Sequence, residues 1–167
     1  MVVVMPNGNT AGGFFTDISG SKDPYYKLVI EDMIPFVEEH YSVKTNPADR
    51  AYAGLSMGGL QAYNMALFYA EHFGYILPLS TGFFPNQLEE FKNVLETEAD
   101  VEAINNLKLF WISMGGEKDI AYQNGVNSKK ILDEFGITYQ ENSYPAGHTF
   151  ITWRHDLHTF APLLFRE

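Results

Sequence analysis

In the pentapeptide Gly54-Leu55-Ser56-Met57-Gly58, Ser56 comes directly after the apolar run 51–55 and directly before a helical pattern. A serine at such a junction sits on a sharp strand-to-helix turn that pushes its hydroxyl clear of the backbone. The turn constrains the fold, because it needs a strand ending and a helix starting within one residue. Gly54 and Gly58 are expected to be small because strand and helix approach too closely there for larger side chains. Gly-x-Ser-x-Gly alone is a modest signal, since both residues are common in turns, and the flanking strand and helix strengthen it.

The rest of the chain alternates strand-like and helix-like segments. Residues 2–5 are a β-branched run closed by Pro6-Asn7-Gly8-Asn9, which predicts a strand and a turn. Residues 9–24 read as a long loop, a length that favours function. The spacing over 26–41 predicts a helix, kinked or broken at Pro35. Strands are expected at 50–55, 75–80, 107–114 and 138–144. Helices are expected at 57–72, 121–135 (stopped by Gly136) and 147–165, with an irregular helical stretch over 84–106. Such alternation predicts an α/β fold with a mostly parallel sheet of about five strands flanked by helices. The 167 residues are read as one domain, 1–167, able to bury roughly 70% of the unfolded surface.

Composition narrows the partners. The formal charge of −10 argues against nucleic acid, whose phosphates would be repelled. The absence of cysteine excludes disulfides and thiolate metal sites. No apolar stretch approaches the ~20 residues that span a bilayer, so no membrane partner is expected. Residues 1–6 lack the charged leader and cleavage site of a signal peptide. Aromatics are plentiful, with thirteen Phe, ten Tyr and two Trp; many must be core, and Tyr and Trp also suit sugar or aryl surfaces.

A serine nucleophile needs a base, and the base needs an acid to hold its tautomer. In a parallel sheet these groups gather on loops at the carboxyl ends of strands. Ser56 follows one predicted strand, Asp119 another (Gly115-Gly116-Glu117-Lys118-Asp119), and His148 a third (Pro145-Ala146-Gly147-His148). The order Ser, Asp, His is the one expected of α/β-hydrolases. Asp119 also suits the cap of the helix that follows it, and Glu117 is the substitute acid. His40 and His72 lie at predicted helix ends, and His155 and His158 inside the last helix, which leaves His148 at a strand-to-helix junction. No carboxylate cluster joins His155 and His158, so no metal is expected. Asn7, Asn9, Phe14 and Phe15 on the early loop are candidates for a substrate wall or for plain loop surface. Trp153 is a candidate to stack on an aryl or sugar ring or to pack as a helix aromatic.

Taken together, Gly-Leu-Ser-Met-Gly-Gly, the Gly-x-x-Asp ending at Asp119, and Gly147-His148-Thr149-Phe150-Ile151-Thr152-Trp153-Arg154 resemble the putative-esterase family. The Met5-Pro6-Asn7-Gly8 turn and the closing Phe160-Ala161-Pro162-Leu163-Leu164-Phe165 match it too. That family includes esterase D and the feruloyl and acetylxylan esterases of carbohydrate esterase family 1. The resemblance implies a serine esterase with Ser56, Asp119 and His148 as the triad, no cofactor, and feruloyl or acetyl esters of plant xylan as substrates. The partner is then a small-molecule or polysaccharide ester, and a secreted location is favoured. An S-formylglutathione hydrolase-like thioesterase and a non-catalytic binding or assembly remnant are the rival readings.

The resemblance also implies strands upstream of this chain, among them one whose loop supplies an oxyanion-hole amide opposite that of Met57. Without them the fold is an N-terminally truncated α/β-hydrolase type. Its gap beside the Ser56 strand is expected to be closed by residues 2–5 or by another chain, giving a homo-oligomer with exchanged strands.

Overall fold

A computed structural model describes residues 1–9, 18 and 24–166. Most of the expected loop 9–24, with Phe14 and Phe15, lies outside the described residues.

Helix α1 (Pro24–Lys27) runs into a π-helical stretch, Leu28–Met33, and then α2 (Ile34–His40). The expected irregularity at Pro35 is therefore a widened turn just before it. Proline offers no N–H and its ring crowds the carbonyl four residues back. The chain responds by inserting a residue: the Ile34 N–H reaches back five positions to Val29 O.

Four βα repeats follow. Strand β1 (Ala51–Leu55) leads to α3 (Met57–Tyr69), and β2 (Tyr75–Leu79) to α4 (Leu88–Thr97) and α5 (Val101–Asn105). Strand β3 (Leu109–Met114) leads to α6 (Tyr122–Glu134), and β4 (Gln140–Ser143) to α7 (Phe150–Phe160). The irregular stretch 84–106 resolves into a short 3-10 turn, α4 and α5, the last capped by the Asp100 carboxylate accepting from the Ala103 N–H at 2.9 Å.

All neighbours in the β1-β2-β3-β4 sheet are parallel. Because the period of a strand is two, its side chains sort onto two faces. Ile76, Phe110 and Ile112 join one core cluster with α3, α4 and α6 residues such as Tyr63, Phe91 and Leu132. Tyr75, Leu77, Leu79, Leu109 and Trp111 join a second cluster with Phe160 of α7 and the chain's last apolar residues. Strands β2 and β3 are buried along their whole length for this reason, while polar β4 is a sheet edge.

Residues 2–5 do not form the expected strand, and among the described residues the sheet has four strands where about five were expected. Val2, Val3, Val4 and Met5 are 45–88% exposed. A strand exists through its ladder, and here a groove of about 370 Å³ separates Val4–Asn7 from Tyr52, Ala53 and Gly54 of β1. The expected transfer of residues 2–5 onto β1 has not taken place within one chain. Gln61 anchors the segment instead, donating from Nε2 to Gly8 O at 2.9 Å.

The register aligns the strand ends. Leu55 faces Leu79, Leu79 faces Ser113, and Ser113 faces Asn142. The turns after all four strands therefore share one rim. Helix α7 is pinned beneath that rim by the buried Asp156, which accepts from Ser113 Oγ at 2.6 Å and from Asn142 Nδ2 at 3.1 Å.

Burial holds the Asp156 carboxyl above its ordinary range, and the Ser113 and Asn142 hydrogen bonds offset this only in part. The native state then keeps a proton that the unfolded chain releases above about pH 4. This group's contribution to stability falls as pH rises from there through its folded pKa, and is level above it. Asp156→Asn removes that slope. Urea midpoints of variant and native protein at about pH 4 and pH 7 should diverge in the variant's favour at the higher pH. A constant difference would exclude it.

Candidate active site

Ser56 lies between β1 and α3 with φ 55° and ψ −116°, a conformation that L-residues rarely adopt. The ladder still holds it: its N–H donates to Leu79 O at 2.9 Å, and its carbonyl accepts from Gly59 and Leu60 to start α3. A Cβ on Gly54 would meet Gly58 O at 2.0 Å, so the expected close approach is real at that position. At Gly58 the expectation fails, since an added Cβ there meets nothing within 4 Å. The second tight position is Gly59, whose Cβ would come 2.5 Å from Thr81 Cγ2 and 2.9 Å from Leu79 O. Helix α3 crosses the sheet one residue further along than the motif suggests.

The loops after β3 and β4 are clasped together. Gly147 N–H donates to Gly115 O at 2.8 Å, and a Cβ on Gly115 would meet Gly147 O at 2.2 Å. Thr152, buried at the start of α7, donates from Oγ1 to Gly147 O at 2.7 Å. That clasp delivers His148 to Asp119: its Nδ1 lies 2.8 Å from Asp119 Oδ1, and its Nε2 lies 3.0 Å from Ser56 Oγ. An ionised carboxylate only accepts, so Nδ1 carries the proton and Nε2 is free to accept from the serine hydroxyl. Three residues separated by up to 92 positions thus form one hydrogen-bonded line.

Asp119 is buried, with a fully covered side chain. Burial raises its pKa, but hydrogen bonds from Ala121 N–H, Ser80, His148 and Gly115 N–H outweigh that and hold it below the ordinary carboxylate value. The expected cap does not form, since Ala121 is the N-cap of α6 and no side chain caps it; the Asp119 carboxylate instead braces its own loop, Oδ1 accepting from Ala121 N–H and Oδ2 from Gly115 N–H, each at 2.9 Å. Glu117 is exposed on the same loop and Asp119, not Glu117, faces the imidazole.

Met57 opens α3, and an amide in the first turn of a helix has no partner within that helix. Asn7 lines the groove beside β1 that reaches Met57, and its Oδ1 is used locally, accepting from Asn9 N–H at 3.0 Å. Trp153 is half-buried. Its ring meets His148 edge-on, with centroids 5.1 Å apart at 87°, and its Nε1–H donates to Ser80 Oγ at 2.9 Å. The other histidines sit elsewhere: His40 against Phe36 O, His72 beside Glu71, and His155 stacked on Tyr144. Among the described residues no group of three or more His, Asp or Glu side chains could hold a metal ion, and no helix is long and apolar enough to cross a membrane.

Sequence reasoning missed Ser80. The available signal was its place directly after β2, in register with Ser56 after β1.

The turn geometry separates the two glycines of the motif. Gly54→Ala should lower the thermal midpoint severely or prevent folding, because the clash is with backbone. Gly58→Ala should leave it unchanged or raise it, by up to about 1 kcal/mol from helix propensity. Equal effects in thermal denaturation would contradict this geometry.

The model of the family described as Putative esterase matches residues 1–164. An endo-1,4-beta-xylanase/feruloyl esterase of Xylanibacter ruminicola is 29% identical over 169 residues, which is 99% of this chain and 21% of that protein. Among solved structures, a ferulic acid esterase aligns with a TM-score of 0.68 at 19% identity, covering 90% of this chain and 63% of the other. The S-formylglutathione hydrolase of Staphylococcus aureus aligns with a TM-score of 0.67 at 23% identity, covering 83% and 59%. These structures share the fold, a parallel sheet of α/β-hydrolase type flanked by helices. This chain spans about a fifth of the length of the curated relative and less than two thirds of each solved chain.

Proposed function

The chain belongs to the Putative esterase family, and from that premise we propose that it is a serine carboxylesterase acting on feruloyl or acetyl esters of plant xylan. The observation that carries this reading is the line Asp119–His148–Ser56 at the rim of the sheet. His148 Nε2 takes the Ser56 proton as Oγ attacks the ester carbonyl, and the carbonyl electrons move onto oxygen. The Met57 amide, the first of α3 and next to Ser56, donates to that oxyanion. Collapse of the intermediate breaks the ester C–O bond, and His148 returns the proton to the departing alcohol. Water, deprotonated by the same imidazole, then releases the acid and restores Ser56. Asp119 stabilises the imidazolium, and its lowered pKa keeps it ionised while it does so. The choice of ester follows the name of the Xylanibacter ruminicola relative.

Incubation with p-nitrophenyl acetate and methyl ferulate, beside Ser56→Ala, tests the reading. The variant should lose at least about 10³-fold in kcat/KM. Equal rates for both proteins would reduce the site to a non-catalytic remnant. Faster turnover of S-formylglutathione than of methyl ferulate would move it to thioester chemistry.

The same reading includes self-association with exchanged N-terminal segments. Among the described residues β1 pairs only with β2; Val4 and Met5 stand across the groove from its free edge, and Val2 and Val3 are exposed beside them. A second copy's segment would complete the ladder. Sedimentation velocity should show a dimer or larger species, and a monomer at every concentration would refute this.

A further inference from the structure

We propose that Ser80, locked as a one-way hydrogen-bond donor by the Trp153 indole, is a positioning residue that holds the Asp119 carboxylate square to His148. This rests on the triad reading above and adds to it a relay from α7 to the acid.

The direction of the relay follows from the chemistry of its members. An indole N–H donates and never accepts. At 2.9 Å it occupies an acceptor site on Ser80 Oγ. The serine's single proton is then free for another acceptor, and on this reading it goes to the Asp119 carboxylate, whose pKa the Ser80 hydroxyl helps to hold down. Asp119 receives three donors at 2.8–2.9 Å, Gly115 N–H, Ala121 N–H and His148 Nδ1–H, and the Ser80 hydroxyl is the fourth in this proposal. A carboxylate offers about four lone-pair sites, so a Ser80 donor would fill the last of them and block the group's rotation. Trp153 also packs edge-on against the His148 ring and against Phe150, with centroids 5.1 and 5.0 Å away. One side chain thus supports the base directly and the acid through Ser80.

The backbone at Ser80 agrees with a dedicated role. Ser80 is fully buried and has φ 47°. Only three described non-glycine residues have positive φ, and two of them, Ser56 and Ser80, end adjacent parallel strands at this rim. The Ser80 N–H still donates to Ser113 O at 2.8 Å, so the unusual conformation costs no ladder bond and serves to aim the side chain. Glycine would suit that backbone better, and the residue is nonetheless one with a hydroxyl.

The experiment compares the native protein with Ser80→Gly, Ser80→Ala, Trp153→Phe and the Ser80→Ala/Trp153→Phe double variant. Phenylalanine keeps the ring contacts and removes the N–H, while glycine removes the hydroxyl and relieves the backbone, so a folded variant is available whichever route is chosen. Two readouts are taken. Each single substitution should lower kcat for p-nitrophenyl acetate about tenfold with KM within about twofold, and the double variant should be no worse than Ser80→Ala alone. The proton NMR resonance of His148 Nδ1–H should exchange with water about tenfold faster in all variants. The second readout needs no turnover, so it tests the relay even if Ser56 proves inactive. A Nδ1–H resonance unmoved by the Ser80 variants and by Trp153→Phe would overturn the proposal. So would additive losses in the double variant, which would assign Trp153 to ring packing alone.

Discussion

The in-register parallel ladder is the constraint on which the molecule depends. Each crossover returns the chain to the same end of the next strand, and the pairing of Leu55 with Leu79, Leu79 with Ser113 and Ser113 with Asn142 brings four strand ends level. A slip of one residue in any pair would turn that strand's side chains to the opposite face. It would exchange the members of the two core clusters and lift one of Ser56, Asp119 or His148 away from the others. Burial of β2 and β3 on both faces therefore holds the register, and the register holds the site.

Local strain is concentrated where the ladder ends. Ser56 and Ser80 carry positive φ, and Gly54, Gly59 and Gly115 lie where no Cβ fits. Positive φ at a non-glycine residue costs on the order of 1–3 kcal/mol. The hydrophobic clusters above and below the sheet supply what offsets it, since a single buried Leu or Phe contributes about 1.5–3 kcal/mol. A rigid sheet beneath and strained turns above is an arrangement that presents side chains without letting them relax.

Much of this was legible in the residues. The βα alternation, the Ser56 turn, and the strand-end positions of Asp119 and His148 follow from periodicity and glycine placement, which are local properties. Local reasoning went astray where a partner decides the outcome. Residues 2–5 have every strand-forming feature, yet stand exposed because no ladder reaches them. Pro35 marked a disturbance correctly, but the helix absorbed it in the preceding turn, as the Ile34-to-Val29 bond shows. Gly58 belongs to the motif without being needed sterically, while Gly59 is, because the crossing of α3 over β2 determines which residue touches Thr81.

The order of Ser56, Asp119 and His148 along the chain, and their places at strand-to-helix junctions, were properties of the sequence alone, because each depends on a few neighbouring residues. Which oxygen of Asp119 faces the imidazole, that Glu117 does not, and that Trp153 reaches both Ser80 and the His148 ring were decided only by the tertiary structure. Those contacts join β2, the β3 loop and α7, segments dozens of residues apart, and no local pattern records how they meet once two cores close around one sheet.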